Sequence, residues 1–503
     1  MSVLDSGLER RRLVVSTLFA CVLTICAADA HQWPRSNPPP PLPSRPVDFP
    51  PYEIKTMPNG LQVLVVLHHE QPSVSFRLLV RAGAMQEPAD RPGVANFVSG
   101  LLTQGTKTKS AGEIATAIES AGGIIGSGSG NELTFLSGAV IKDQTDLMLS
   151  LASDIVQNPA FAQDELDRRR GQTLDSLEVS YDDPDYLASL VFDRLVFGFH
   201  PYGRPTEGTR ESISRLTKED LVAYHRNWFV PNNSLLAIVG DMTADEAFAA
   251  AQKAFGGWAR RDVPSVNAIE PPPPTRRLVV IDRPGSTQTE IRVGHVAVPR
   301  TSPDFVPLDL AIRILGGEGA NRLFGVLRSD RGLTYGASAD LNTYKLSGDI
   351  VAETDTRSSA TGESLRLMVD EFSRLQKEPV NPEELRGAQR FLAGNFPLTI
   401  ESPGAIAQQV LAHLFFGLDL SEIKTYRDRV DRVTTMDIQR VAKGFLKPDQ
   451  LSIVLVGDAS VFAGQLKALG FGEYERIPIA DLDLSSPTLR RSARLPDALP
   501  LSK

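Results

Sequence analysis

The chain has 503 residues, 61 acidic and 53 basic, for a formal net charge of −8. With no basic block to offset that charge, the composition argues against a nucleic-acid or anionic-membrane partner. Its two cysteines, Cys21 and Cys26, both lie within the first thirty residues, so a chain processed there has no thiol for disulfides, metal binding or nucleophilic catalysis.

Those first residues, 1–30, read as an export signal. Arg10, Arg11 and Arg12 form a basic start, an apolar run follows from Leu13 to Ala27, and Ala28-Asp29-Ala30 offers a cleavage site. The mature protein is expected to begin near His31, to be periplasmic and to be soluble, because the apolar run is shorter than the roughly 20 residues a spanning helix needs. No later stretch is long and apolar enough to span either. Leu23-Thr24-Ile25-Cys26 faintly resembles a lipoprotein box, but Ile25 stands where such sites want a small residue, so lipid anchoring at Cys26 is the minority reading. What remains is too long for one core of ordinary size, and two to four domains are expected.

A proline-rich segment, 31–51, comes next. Strands are predicted at Gly60 to Val66 and Ser73 to Arg81 from β-branched and alternating apolar residues. Helices are predicted at Gly93 to Thr103, Ala111 to Ala121, Gln144 to Val156 and Asp164 to Val179. After the run Pro271-Pro272-Pro273-Pro274 the pattern repeats, with strands at Arg277 to Ile281 and Thr289 to Val298, helices at Asp304 to Leu315 and Asn321 to Asp330, and strands from Tyr335 to Glu353. Each half closes alike. LTKEDLVAYHRNWFVP (Leu216 to Pro231) precedes SLLAIVGD (Ser234 to Asp241), and VTTMDIQRVAKGFLKP (Val433 to Pro448) precedes SIVLVGD (Ser452 to Asp458). Both helical passages begin on a Thr cap and end at a proline. This is an internal duplication, and the expected class is α+β: two related halves, 52–265 and 277–480, joined by a linker, 266–276, with a tail, 481–503.

The passage PGVANFVSGLLTQGT (Pro92 to Thr106) resembles the zinc-motif region of the pitrilysin/insulysin and mitochondrial processing peptidase family. So do DDP at Asp182 to Pro184, HPYGRPTEGTRESI (His200 to Ile213), GGEGANRLFGVLRSDRGLTYGASAD (Gly316 to Asp340) and the two VGD endings. In this order they span almost the whole mature chain, and the resemblance implies four α+β domains paired into two halves. Active relatives carry His-x-x-Glu-His on a helix, setting two imidazoles one turn apart with a Glu as base for a zinc-bound water. The matching positions here are Asn96, Ser99 and Gly100. The third ligand, a Glu in the helix that ends before DDP, falls on Ser176, with Asp175 beside it. An amide, two hydroxyls and a bare Cα neither hold zinc well nor activate water, so no metal is expected in this chain.

The other histidines offer no replacement. No two among His68, His69, His200, His225, His295 and His413 stand at helical spacing, and the adjacent His68 and His69 point to opposite faces of a strand end. His200 belongs to a turn and reads as structural. What the resemblance preserves is an Arg and a Tyr seven residues apart that, in relatives, reach the substrate carbonyl and the developing oxyanion; here they are Arg328 and Tyr335. Arg331 is a weaker candidate that holds the turn. GGIIGSGSGN (Gly122 to Asn131) falls where relatives place the edge strand that pairs with peptide, and so much glycine predicts a loosened, vestigial strand. Gly316, Gly317 and Gly319 resemble a substrate-touching glycine loop, and a plain helix N-terminus is the alternative. The reading is a zinc-less subunit of a periplasmic metallopeptidase heterodimer, with zinc in a homologous partner and peptides as substrates. The alternative is an inactive structural or peptide-binding homologue with no part in hydrolysis.

Overall fold

The computed structural model describes residues 49–265, 269–317 and 321–491. The predicted leader, both cysteines and Gly319 lie outside them. The N-terminal half runs β1 (Tyr52–Thr56), β2 (Gln62–Leu67), β3 (Ser73–Val80), α1 (Val94–Leu101), α2 (Ala111–Ser120), β4 (Ile124–Ser129), β5 (Thr134–Ile141), α3 (Thr145–Gln157), α4 (Gln163–Tyr181), α5 (Pro184–Phe197), α6 (Arg210–Arg215), α7 (Lys218–Trp228), β6 (Ser234–Gly240) and α8 (Ala244–Phe255). The C-terminal half runs β7 (Arg277–Asp282), β8 (Gln288–Ala297), α9 (Phe305–Gly316), a π-helical turn (Phe324–Asp330), β9 (Ala337–Thr343), β10 (Gly348–Arg357), α10 (Thr361–Lys377), α11 (Pro382–Asn395), α12 (Pro403–Phe416), α13 (Ser421–Asp431), α14 (Thr435–Phe445), β11 (Ser452–Gly457), α15 (Ala459–Ala468) and β12 (Glu475–Pro478). The predicted α+β class holds.

The duplication extends to topology. One sheet has the order β1-β2-β6-β3-β5-β4 and the other β12-β7-β11-β8-β10-β9, so five strands correspond one to one. Only the outermost strand differs in origin: β1 comes before its half and runs antiparallel to β2, whereas β12 comes after its half and runs parallel to β7. The helices before the closing strands share one start signal. Thr217 caps α7 and Asp220 bonds back to it, and Thr434 and Asp437 do the same for α14, each pair satisfying end donors that the helix leaves free.

Every residue of β6 and β11 is buried, because both faces of these central strands are covered. One face packs on the helices of its own half: Leu236 and Ile238 in the first, Ile453 and Leu455 in the second. The opposite face is covered by a helix from the other half. α5 crosses β8 and β11, where Leu187, Val191 and Phe192 meet Val454 and Val456. In return α12 crosses β3 and β6, where Ile406 and Val410 meet Leu235 and Val239. At roughly 1.5–3 kcal/mol for each large aliphatic side chain buried, this reciprocal exchange binds the halves firmly.

Two expectations need correction. The glycine cluster is no loosened edge: β4 pairs with β5 without a break from Ile124↔Ala139 to Ser129↔Thr134. The Phe135 ring lies against Gly128, where an added Cβ would come within 2.9 Å of it, so the glycine makes room for an aromatic cover. Gly316 and Gly317 lie at the C-terminal end of α9, not at a helix N-terminus. A Cβ on Gly316 would fall 2.2 Å from the Ala339 nitrogen, so close packing of α9 on β9 requires glycine there.

Candidate functional site

α1 carries the first three positions of interest, and its start is fixed by an acid that sequence reasoning passed over. The Glu87 carboxylate accepts hydrogen bonds from the backbone of Gly93 (3.0 Å) and Ala95 (2.8 Å), capping the helix from outside, while Gly93 takes the left-handed φ of 96° that only glycine adopts freely. Burial pushes the Glu87 carboxyl up to about 8.

On the face of α1 toward α4 and β4, the four positions divide into a group of three and one apart. Ser99 Oγ donates to the Asn96 carbonyl (2.9 Å) and to Ser129 Oγ (3.3 Å), and Ser127 Oγ donates to the Ser99 carbonyl (2.7 Å), so hydroxyls stitch the helix to β4. Into the space beside Gly100 comes Arg169 of α4. Its guanidinium donates from Nη2 to Asn96 Oδ1 (2.9 Å), and a Cβ on Gly100 would lie 2.5 Å from its Cζ. Ser176 sits two turns further along α4, exposed, and among the described residues it joins none of these bonds.

This donor set does not suit zinc. The side-chain oxygen Oδ1 of Asn96 is engaged by the Arg169 guanidinium, Ser99 is bonded to β4, and Gly100 has no ligand atom. Among the described residues no three His, Cys, Asp or Glu side chains are grouped to hold a metal. The histidines serve other ends. His69 Nδ1 lies 2.7 Å from Asp241, His68 is buried, and His200 bridges the Ile269 carbonyl (2.9 Å) and the Tyr202 amide (3.1 Å).

Arg328 and Tyr335, by contrast, are brought together on the C-terminal half. The π-helical turn and the loop after it put the Arg328 Cζ 4.9 Å from the centre of the Tyr335 ring, a cation–π distance. Arg328 Nη1 donates to the Thr334 carbonyl (3.1 Å), the one acceptor it meets among the described residues. Tyr335 is 81% exposed. Three threonines pin the loop to β10: Thr356 Oγ1 donates to the Leu333 carbonyl (2.8 Å), Thr354 Oγ1 to the Gly336 carbonyl (2.7 Å), and Thr334 Oγ1 lies in hydrogen-bond contact with Asp355 Oδ1 (3.3 Å). Arg331 is held apart in an ion pair with Glu363 at 2.9 Å.

Next to this loop, at the seam of the halves, lies a cavity of about 840 Å³ whose walls include Gly316, Gly317, Asp185, Glu290, Arg292 and Glu353. Arg292 is buried among the three carboxylates, pairing with Asp185 of α5, with Glu353 at 3.3 Å and with Glu290 at 3.8 Å. Burial pushes the Glu290 carboxyl up to about 7, against the pull of Arg292.

The duplicated α+β architecture with two sheets of matching order agrees with the class the sequence resembles, the inverted-motif zinc peptidases and their inactive kin. Two family models agree with that class, Insulinase (Peptidase family M16) over residues 62–210 and the Peptidase M16 inactive domain over residues 215–392. An uncharacterized zinc protease of Mycobacterium tuberculosis is 27% identical over 395 residues, 78% of this chain and 90% of that protein. An uncharacterized zinc protease of Bacillus subtilis is 21% identical over 388 residues, 77% and 93% of the two. Among solved structures, a peptidase M16 inactive domain from Pseudomonas fluorescens is 28% identical, with a TM-score of 0.77 over 81% of this chain and 98% of that one. A protease from Helicobacter pylori superposes with a TM-score of 0.76 at 20% identity over 81% of this chain and all of that one, a likeness of fold. The chain belongs to the M16, or insulinase, family of peptidases.

Proposed function

We propose that this chain is the non-catalytic member of a two-subunit zinc peptidase, binding no metal itself and lending Arg328 and Tyr335 to a zinc site held by a homologous partner. The observation that carries the reading is the asymmetry between the two groups. The motif positions on α1 have lost every ligand and face a guanidinium, while the Arg–Tyr pair stands assembled with hydrogen-bonding capacity to spare. A mutation that merely inactivated an enzyme would leave no reason to keep both residues on a loop pinned by three threonines.

Zinc in the partner would supply the activated water. This chain's part is to hold the peptide and, from the Arg328 guanidinium and the Tyr335 hydroxyl, to donate hydrogen bonds to the scissile carbonyl as charge builds on its oxygen. The export signal read in residues 1–30 supports a periplasmic setting for this work. A second reading, peptide binding without hydrolysis, draws on β4, a complete strand that is outermost in its sheet among the described residues and so could take an added one.

Co-expression with a zinc-bearing homologue, chosen from the adjacent reading frames, separates the two. Peptide cleavage by the purified pair is expected to fall by about 10²–10³-fold in Arg328→Ala and Tyr335→Phe, the loss typical of one oxyanion donor. Undiminished activity in both variants would leave only the binding reading, and chelator-sensitive cleavage by this chain alone would overturn both.

A further inference from the structure

We infer that Arg169 stands in the place of the metal: its guanidinium fills the volume vacated at position 100 and cross-links α4 to α1, so that the site is closed to a divalent cation and not simply short of ligands. This rests on the assignment of Asn96, Ser99, Gly100 and Ser176 to the family's zinc positions.

Three observations converge on this side chain. A Cβ built on Gly100 would lie 2.5 Å from Cζ and 2.7 Å from both Nε and Nη2, closer than two such atoms approach, so the guanidinium uses space that any side chain at 100 would need. The group is held there by Nη2, which donates to Asn96 Oδ1 at 2.9 Å, and by the Phe97 ring, whose centre lies 5.8 Å from the cation; Nε is buried without an acceptor among the described residues, a cost that these contacts offset. Finally, no carboxylate pairs with it within the limits of an ion pair among the described residues; Glu207 acts on it only from a distance, against the like charge of its sequence neighbour Arg168. A guanidinium keeps its proton at any physiological pH. An imidazole at position 100 would therefore meet an occupied volume, and a zinc ion bonded to it at about 2.0–2.1 Å a nearby positive charge. Because α1 and α4 come from distant parts of the chain, the Arg169–Asn96 contact holds them together as a shared metal ion would.

The test restores the ligands with and without the plug. In the full mature chain, Asn96→His, Ser99→Glu, Gly100→His and Ser176→Glu are introduced together, once with Arg169 retained and once with Arg169→Ala, and zinc uptake is read by competition with a chromophoric chelator and by elemental analysis. One equivalent of zinc is expected only where Arg169 has been removed, with a zinc-dependent rise in Tm in that variant alone. Equal uptake in both would overturn the plug, whereas no uptake in either would overturn the assignment of the four positions beneath it. The single variants Arg169→Ala and Arg169→Lys in the otherwise unchanged chain give a measurement free of engineered ligands. A Tm lower by several degrees in the alanine variant, partly rescued by lysine, is expected of a cross-link, and an unchanged Tm would remove it.

Discussion

Single side chains in this molecule act through burial more than through local charge. Asp349 on β10 is 2% exposed and accepts one hydrogen bond, from Asn342 Nδ2 at 3.1 Å; burial pushes its carboxyl up to about 7. Asp193 on α5 is pushed well above its usual range by burial first and then by Asp349 nearby. A carboxyl whose pKa is higher folded than unfolded favours the protonated fold. Its contribution is complete below the unfolded value near 4 and is lost as pH rises through about 7. The Tm is therefore expected to be higher at pH 6 than at pH 8, and Asp349→Asn should flatten part of that difference by raising the Tm at pH 8. A thermal melt series across that range checks it, and a wild-type Tm independent of pH would contradict the assignment. Arg169 belongs to the same scale. Nothing in its local sequence marked it, because its role arises from the room left by a glycine 69 positions earlier.

Elements were legible where pattern and caps agreed. The Thr caps and terminating prolines of α7 and α14 and the apolar runs of β6 and β11 placed those elements within two or three residues. The pattern failed where an element draws its stability from elsewhere. β4 is glycine-rich, yet forms because β5, the Phe135 ring and the hydrogen bonds to Ser99 of α1 supply what its own glycines lack. The exchange of α5 and α12 was equally hidden, since an apolar face does not say which sheet it will cover. Phe192→Ala, at a side chain 2% exposed in the contact between α5 and the C-terminal sheet, is expected to cost about 3–5 kcal/mol in chemical denaturation. Val179→Ala, 73% exposed on α4, should stay within about 0.5 kcal/mol.

At the scale of the molecule, that exchange makes each half dependent on the other. Residues 49–265 expressed alone would leave β3 and β6 without α12, and residues 269–491 alone would leave β8 and β11 without α5, each exposing an apolar sheet face. Separately expressed halves are expected to aggregate and, when co-expressed, to recover one soluble 1:1 complex by size-exclusion chromatography. Monomeric, cooperatively unfolding single halves would show the exchange to be dispensable. The amino-acid sequence by itself determined the α+β class, the duplication and the family, because these are matters of residue type and period along the chain. Only the tertiary structure decided that an arginine from another helix stands beside Gly100, that the glycine-rich edge is a full strand, and that the halves trade helices. Those outcomes depend on volume, reach and the covering of apolar faces between segments far apart in sequence, quantities that no local pattern encodes.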